Sequence, residues 1–184
     1  MREIRSPIPV KLFIGMLTPE LALFDRCEDI LRKEYGPVDY QSEIVSWTGS
    51  DFYQKEMGSD IFRKFIFFER LIDPGVLGAI KANTITIEKS LALTVEDCVK
   101  RRINLDPGYV TEAKVVLATT KDYSHRLYIG NGMYAEVTLR YGNKERSFSP
   151  FEYTYHDYCT ETYRTMFNYA RDLLRTALQR PTRK

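Results

Sequence analysis

Histidine occurs twice and cysteine three times in 184 residues, too few and too scattered for paired zinc ligands or a disulfide framework. The one close grouping, His156-Asp157-x-Cys159, is read more economically as Asp157 capping the helix that follows, so no metal is expected. Three distant thiols, Cys27, Cys98 and Cys159, fit a reducing compartment. Long hydrophobic runs are missing as well: KLFIGML, FIFF and VVLA are strand-sized, and no membrane partner is expected. The opening MREIRSPIPV lacks an apolar stretch followed by a cleavage site, which points to a cytoplasmic protein. Nor does one sign of charge dominate. Lys and Arg number 27 against 25 Asp and Glu, and a net +2 gives no general pull toward nucleic acid or anionic lipid.

Motifs that announce nucleotide chemistry are also missing. A phosphate loop needs GxxxxGK[ST], so that backbone N–H groups wrap the phosphates, and no such stretch occurs. TTKD sets Lys121 directly beside Asp122, without the intervening residue of a GTPase base-reading run, and DPG at 106–108 falls short of Asp-x-x-Gly. There is no Rossmann fingerprint and no GxSxG elbow. A phosphate would have to be held by scattered lysines and arginines.

What is present is a globular composition, 43% hydrophobic and 28% charged, with thirteen tyrosines suited to half-buried surfaces. Length and the lack of internal repeats predict a single domain spanning 1–184. VKLFIGML (10–17) reads as a strand covered on both faces. Thr18-Pro19 starts a helix whose apolar residues recur at helical spacing until Gly36-Pro37. Residues 39–48 read as a second strand, GSDFYQKEMGSD as a loop, and FRKFIFFERLI (62–72) as a third strand. Asp73-Pro74 opens a second helix with Val76, Ile80, Ile87 and Leu91 on its inner stripe. A strand around RRINLD (101–106) completes a β-α-β-β-α-β series, the ferredoxin-like arrangement. TEAKVVLATT (111–120) suits either element; the spacing of Ala113, Val116, Leu117 and Thr120 favours a short helix.

Two glycine bends follow. A three-residue bend at Gly130-Asn131-Gly132 pairs Ile129 with Met133, Tyr128 with Tyr134 and Leu127 with Ala135, and sets Arg126 opposite Glu136. A two-residue turn at Gly142-Asn143 then sets Arg140 against Glu145, Thr138 against Ser147 and Val137 against Phe148. The product is an antiparallel meander with one polar face, running from Asp122, Ser124, Arg126 and Tyr128 through Tyr134, Glu136, Thr138 and Arg140 to Glu145 and Ser147. A final helix over 158–179, ended by Pro181, turns Thr162, Met166, Phe167, Ala170, Leu173, Leu174, Ala177 and Leu178 inward. The fold class expected is α+β: a ferredoxin-like half, a meander, and a long C-terminal helix on the sheet.

On the polar face, Glu136 sits mid-strand, where a carboxylate needs water or a partner, and Arg126 is placed to be that partner. The plain account is an exposed ion pair worth under about 1 kcal/mol. His125 should point to the opposite face, toward the core. Asp106-Pro107-Gly108-Tyr109 is a turn signal, and it would put Asp106 at a strand end, where ligand loops commonly begin. Turn formation by itself explains that run more simply than ligation does.

The stretch RINLDPGYVTEAKVVLATTKDYSHRLYIGNGMYAEVTLRYG with FEYTYHDY after it resembles a bacterial family classed only as a domain of unknown function, whose members are often labelled GTP-binding proteins. The similarity runs over nearly the whole chain, KLFIGML included. Where relatives tend to carry Trp-Thr-Tyr-Pro-Asp-Tyr, this chain has Tyr153-Thr154-Tyr155-His156-Asp157-Tyr158. The resemblance implies no catalytic residue.

Together these readings lead to a cytoplasmic protein that binds a small anionic ligand, a nucleotide being one such ligand, beside the Asp106 turn. Lys121 and Arg126 would neutralise its charge, Glu136 would orient Arg126 or accept hydroxyl hydrogens, and Tyr109 or Tyr134 would stack on it. The rival is a module that uses its tyrosines, Tyr128 and Tyr134 with Arg126 and Arg140 beside them, against RNA or another protein. Glu136 or His156 could act as an acid or base in an enzyme, but no reaction, cofactor or oligomeric state is legible.

Overall fold

A computed structural model describes residues 3–49, 51–95 and 98–179. β1 (Val10–Thr18) is buried along its whole length, as an apolar run without alternation requires. It lies between β4 (Phe62–Ile72) and β7 (Asn104–Val110), antiparallel to both. The sheet extends past β4 to β2 (Val38–Gln41), and past β7 to β8 (Lys114–Thr119), β10 (Met133–Gly142) and β11 (Ser147–Pro150). β3 (Val45–Ser46) joins β4 and β9 (Leu127–Gly130) joins β10. A separate hairpin pairs β5 (Leu93–Val95) with β6 (Cys98–Lys100).

Helices cover both faces. Leu12, Ile14 and Met16 pack under α1 (Ala22–Tyr35) and α3 (Leu77–Leu91), against Phe24, Leu31, Ile80 and Ile87. Phe13, Phe65 and Phe67 pack under α4 (Glu161–Gln179), where Phe167 meets Phe13 edge-on with ring centroids 5.0 Å apart. The fold is thus mixed α+β, with a large antiparallel sheet and a C-terminal helix on it. No helix of the described residues is long and apolar enough to cross a membrane.

Several expectations are corrected. Residues expected in a loop form α2 (Asp51–Met57). The second strand breaks between β2 and β3, where the Ser42 hydroxyl accepts the Phe65 N–H at 2.9 Å in place of a strand carbonyl. Thr18 accepts the Glu20 N–H rather than capping α1, which begins at Ala22. Residues 114–119 are β8 and not a helix: Val115, Val116, Leu117 and Ala118 are all buried, and both neighbouring strands supply partners. α4 buries Tyr163 instead of Thr162, keeps Met166, Phe167, Ala170 and Leu174, and leaves Leu173, Ala177 and Leu178 half-buried. Arg171 is buried there too, its guanidinium 3.7 Å over the Tyr141 ring and its Nε donating to the Glu112 carbonyl. Pro181 lies outside the described residues.

The first bend is tighter than expected and then compensates. Gly130 pairs with Met133 around Asn131-Gly132, whose φ values of 55° and 71° are the positive pair such two-residue turns need. Ile129 bulges out, and this restores the expected pairs Tyr128 with Tyr134 and Leu127 with Ala135. The second bend takes four residues, 143–146, so Tyr141 faces Phe148 and Arg140 faces Ser149 rather than Glu145. β9 and β11 both lie along the edge of β10 away from β8, which is not a meander. Between them, Tyr153 and Thr154 hydroxyls donate to the Val137 and Thr138 carbonyls, at 3.0 and 2.7 Å.

Candidate functional site

Asp106-Pro107-Gly108-Tyr109 is not a turn; it runs inside β7. Pairing with β8 starts only at Gly108, so the strand edge is open at Pro107, which has no N–H to offer it. Two residues earlier, α3 serves that edge with side chains: Leu105 N–H donates to Glu88 Oε1 and its carbonyl accepts Lys81 Nζ, both at 2.7 Å. Lys81 and Glu88 are drawn into the interior by these bonds.

Asp106 sits next to them on the α4 face. Its Oδ2 accepts Asn104 Nδ2 at 2.8 Å and Arg63 Nη1 at 3.4 Å, and Lys81 Nζ lies 3.6 Å from Oδ1. Arg63 reaches it from β4 across Gly15 of β1; a Cβ at Gly15 would stand 2.9 Å from Nη1. The other arm of the guanidinium, Nη2, donates to Asp157 Oδ2 at 3.1 Å, and Trp47 Nε1 donates to the same oxygen at 3.0 Å. Phe65 and Trp47 face Arg63 Cζ at 5.3 and 6.0 Å. Arg101 closes the outer side through Asn104 Oδ1 and Glu56. Buried Arg63 Nε and the buried Tyr158 hydroxyl have no hydrogen-bond partner among the described residues. The Asp106 and Asp157 side chains are 23% and 19% exposed against 4% for Arg63 and 8% for Lys81, and Arg101, at 35%, is the most accessible cation of the cluster.

Burial raises the Asp106 carboxyl, but Lys81, Arg63 and the Asn104 amide outweigh it and hold its pKa below the usual carboxylate value. Glu88 goes the other way, pushed up by burial despite Lys81. With a folded pKa below the unfolded one, Asp106 adds stability that is present above the unfolded value and is lost as pH falls through the folded value. Asp106→Asn is therefore expected to lose less thermal stability than the parent as pH falls below about 4. Equal losses in thermal scans of both proteins would remove Asp106 from the acid limb.

A second cluster lies beyond β8. Arg126 Nε donates to Glu136 Oε2 at 2.8 Å, Nη1 to the Lys121 carbonyl at 3.0 Å and Nη2 to the Tyr155 hydroxyl at 2.9 Å. Thr138 Oγ1 adds a 3.4 Å bond to Glu136 Oε1. The pairing expected from the bend is therefore present, but with side chains 3% and 2% exposed it is not a surface pair. Tyr153, Thr154 and Tyr155 bond to Val137, Thr138 and Arg126 and cover this part of the face, whereas Asp122, Ser124, Tyr128 and Arg140 are exposed. His125 also reaches Glu136, with Nε2 3.2 Å from Oε2. This corrects its expected inward direction: β9 begins at Leu127, so strand alternation does not govern 125 and 126. His125 stacks on Tyr153 at 4.2 Å, and Tyr153 stacks on Phe151 at 5.2 Å.

Tyr155 belongs to the second cluster through its bond to Arg126. Burial raises its hydroxyl pKa, Arg126 lowers it, and the charges of Glu136 and Asp106 both bear on it. The other expected site residues lie apart: Tyr109 packs with Leu77, Val116 and Ala118 on the opposite face, Lys121 is exposed, and Tyr134 meets Tyr128 edge-on at 5.5 Å. Sequence reasoning missed Arg63, Lys81, Glu88 and Trp47 and took Asp157 for a helix cap. Thr160 is the residue whose hydroxyl accepts an α4 N–H. A signal existed in α3, where Leu77, Lys81, Thr84 and Glu88 share one buried face at helical spacing. Among the described residues no group of three or more His, Cys, Asp or Glu is placed to hold a metal ion.

The chain matches no curated protein and no solved structure. Residues 8–173 match the family described as Domain of unknown function (DUF4416), and the chain belongs to that family.

Proposed function

We propose that this protein binds a small ligand carrying both an anionic group and hydroxyls, a nucleotide or sugar phosphate by class, at the Asp106 end of the sheet. The observation that carries this reading is the parting of β7 from β8 at Pro107, which leaves Asp106 partly accessible beside Lys81 and Arg63. Arg101, the most accessible cation of the cluster, would take anionic oxygens with Lys81 and Arg63 behind it, Asp106 would accept from hydroxyls, and Tyr155, on whose hydroxyl the Asp106 charge bears, would border the site. Arg126 and Glu136 would act indirectly, because their paired atoms hold Tyr155 in place. A ferredoxin-like first half fits this reading: the order β7-β1-β4-β2, with α1 and α3 on one face, supports it.

A thermal-shift screen with nucleotides, GTP among them, and with sugar phosphates tests the proposal. A ligand at one hundred times its Kd should add about 2.7 kcal/mol of stability, and Lys81→Gln should abolish the shift. No shift with any compound at millimolar concentration would sink it. The rival reading, RNA stacking, is favoured by the column Phe151, Tyr153 and His125, with Tyr123 ring-parallel at 6.1 Å and Arg140 over Phe151. Salt-sensitive binding of polyU, without any small-molecule shift, would select it.

A further inference from the structure

α2 lies against the Asp106 cluster with little burial of its own. Its described side chains, Tyr53, Gln54, Glu56 and Met57, are half-buried or exposed, and at seven residues it is too short to be a stable helix by itself. Two side chains tie it to the cluster. Glu56 Oε2 lies 3.3 Å from Arg101 Nη1, with the two side chains 36% and 35% exposed. The Tyr53 ring meets the Trp47 ring edge-on, with centroids 5.5 Å apart. Burial and the Asp106 charge raise the Tyr53 hydroxyl pKa while Arg63 and Arg101 lower it.

Both groups stand where a ligand of this cluster would go. Arg101 is held from the inner side by Asn104 Oδ1 at 3.2 Å and by Glu88 Oε2, 3.8 Å from its Nε. Those partners keep the guanidinium in place whether or not Glu56 is there, so Glu56 is the partner that can be exchanged. An anion drawn to Arg101 competes with Glu56 for its N–H groups and is opposed by the like charge. Tyr53 is close enough to Asp106, Arg63, Arg101 and Tyr155 for all four to bear on its hydroxyl. An ion pair as exposed as Arg101–Glu56 is weak, and a short helix with so little buried surface opens locally at small cost.

On the reading of this cluster as an anion site, we propose that α2 is a displaceable lid: Glu56 occupies Arg101 in the place of an anionic ligand, which enters by releasing Glu56 and, with it, Tyr53.

Inorganic pyrophosphate titrated into the full chain and into Glu56→Gln tests this. Trp47 is the only tryptophan of the sequence, and its contact with Tyr53 makes its emission report on α2; hydrogen exchange over 51–57 reports on the helix itself. The half-saturating concentration should fall about fivefold in Glu56→Gln, the scale of one exposed ion pair. The same change at another exposed pair, Glu112→Gln beside Arg175, should leave it unaltered. In the parent, pyrophosphate should shift the Trp47 emission and speed exchange over 51–57, and in ligand-free Glu56→Gln that exchange should already be faster. Glu56 is exposed, so an unchanged circular-dichroism melt is expected and keeps the comparison fair. Binding that is equal in the parent and Glu56→Gln, or that leaves exchange over 51–57 unchanged or slower, would overturn the lid and leave the anion site standing. No binding by either protein would overturn both.

Discussion

Replacing Arg63 by Met is expected to cost about 3–5 kcal/mol of folding stability. The guanidinium is buried and divides its two arms between Asp106 and Asp157, so its loss leaves two carboxylates without their common cation. Asn104, Lys81 and Trp47 remain as partial partners, which sets the loss at the scale of a broken buried pair rather than of two. Arg63→Lys should fall between parent and Met, because one ammonium cannot serve two carboxylates as a planar fork does. Denaturant unfolding reads both variants, as a lowered midpoint with unchanged slope. A loss of under about 1 kcal/mol for Arg63→Met, the scale of a surface pair, would contradict the buried cluster.

Glu136→Ala should have a comparable effect, about 3–5 kcal/mol, through the charge it strands. Arg126 would keep the Lys121 carbonyl and the Tyr155 hydroxyl but lose the carboxylate it is paired with. The discriminating variant is Glu136→Leu with Arg126→Met. Removing both charges removes both desolvation costs, and the double variant should be more stable than Glu136→Ala despite carrying more changes. Losses that simply add would show that the two side chains do not act as a pair.

Local pattern explains which parts of this protein could be read in advance. β1, β4, α1 and α3 carry runs or periodicities that few alternatives fit. The Arg126–Glu136 contact was legible because only ten positions and one short bend separate its members. The β10–β11 register was not: its true pairing lies four residues from the expected one, and an even shift keeps every side chain on the same face. Val115 to Ala118 are buried without exception, and a run with no period cannot choose between helix and strand. At Asp106 the turn preference of Asp-Pro-Gly lost to tertiary context, since the open strand edge tolerates proline and the close approach of Phe13 suits glycine.

By itself, then, the sequence determined the elements whose signals are local, the α+β class, and the absence of phosphate-loop and elbow motifs. Only the tertiary structure decided which charges meet. Arg63 lies 43 positions from Asp106 and 94 from Asp157, and no spacing rule reaches across such separations. It also decided that Arg126, Glu136 and Thr138 are covered while the rest of the polar face stays wet. Burial of a strand residue depends on what packs over it, and here that cover comes from Tyr153, Thr154 and Tyr155, which no pattern within β10 can announce.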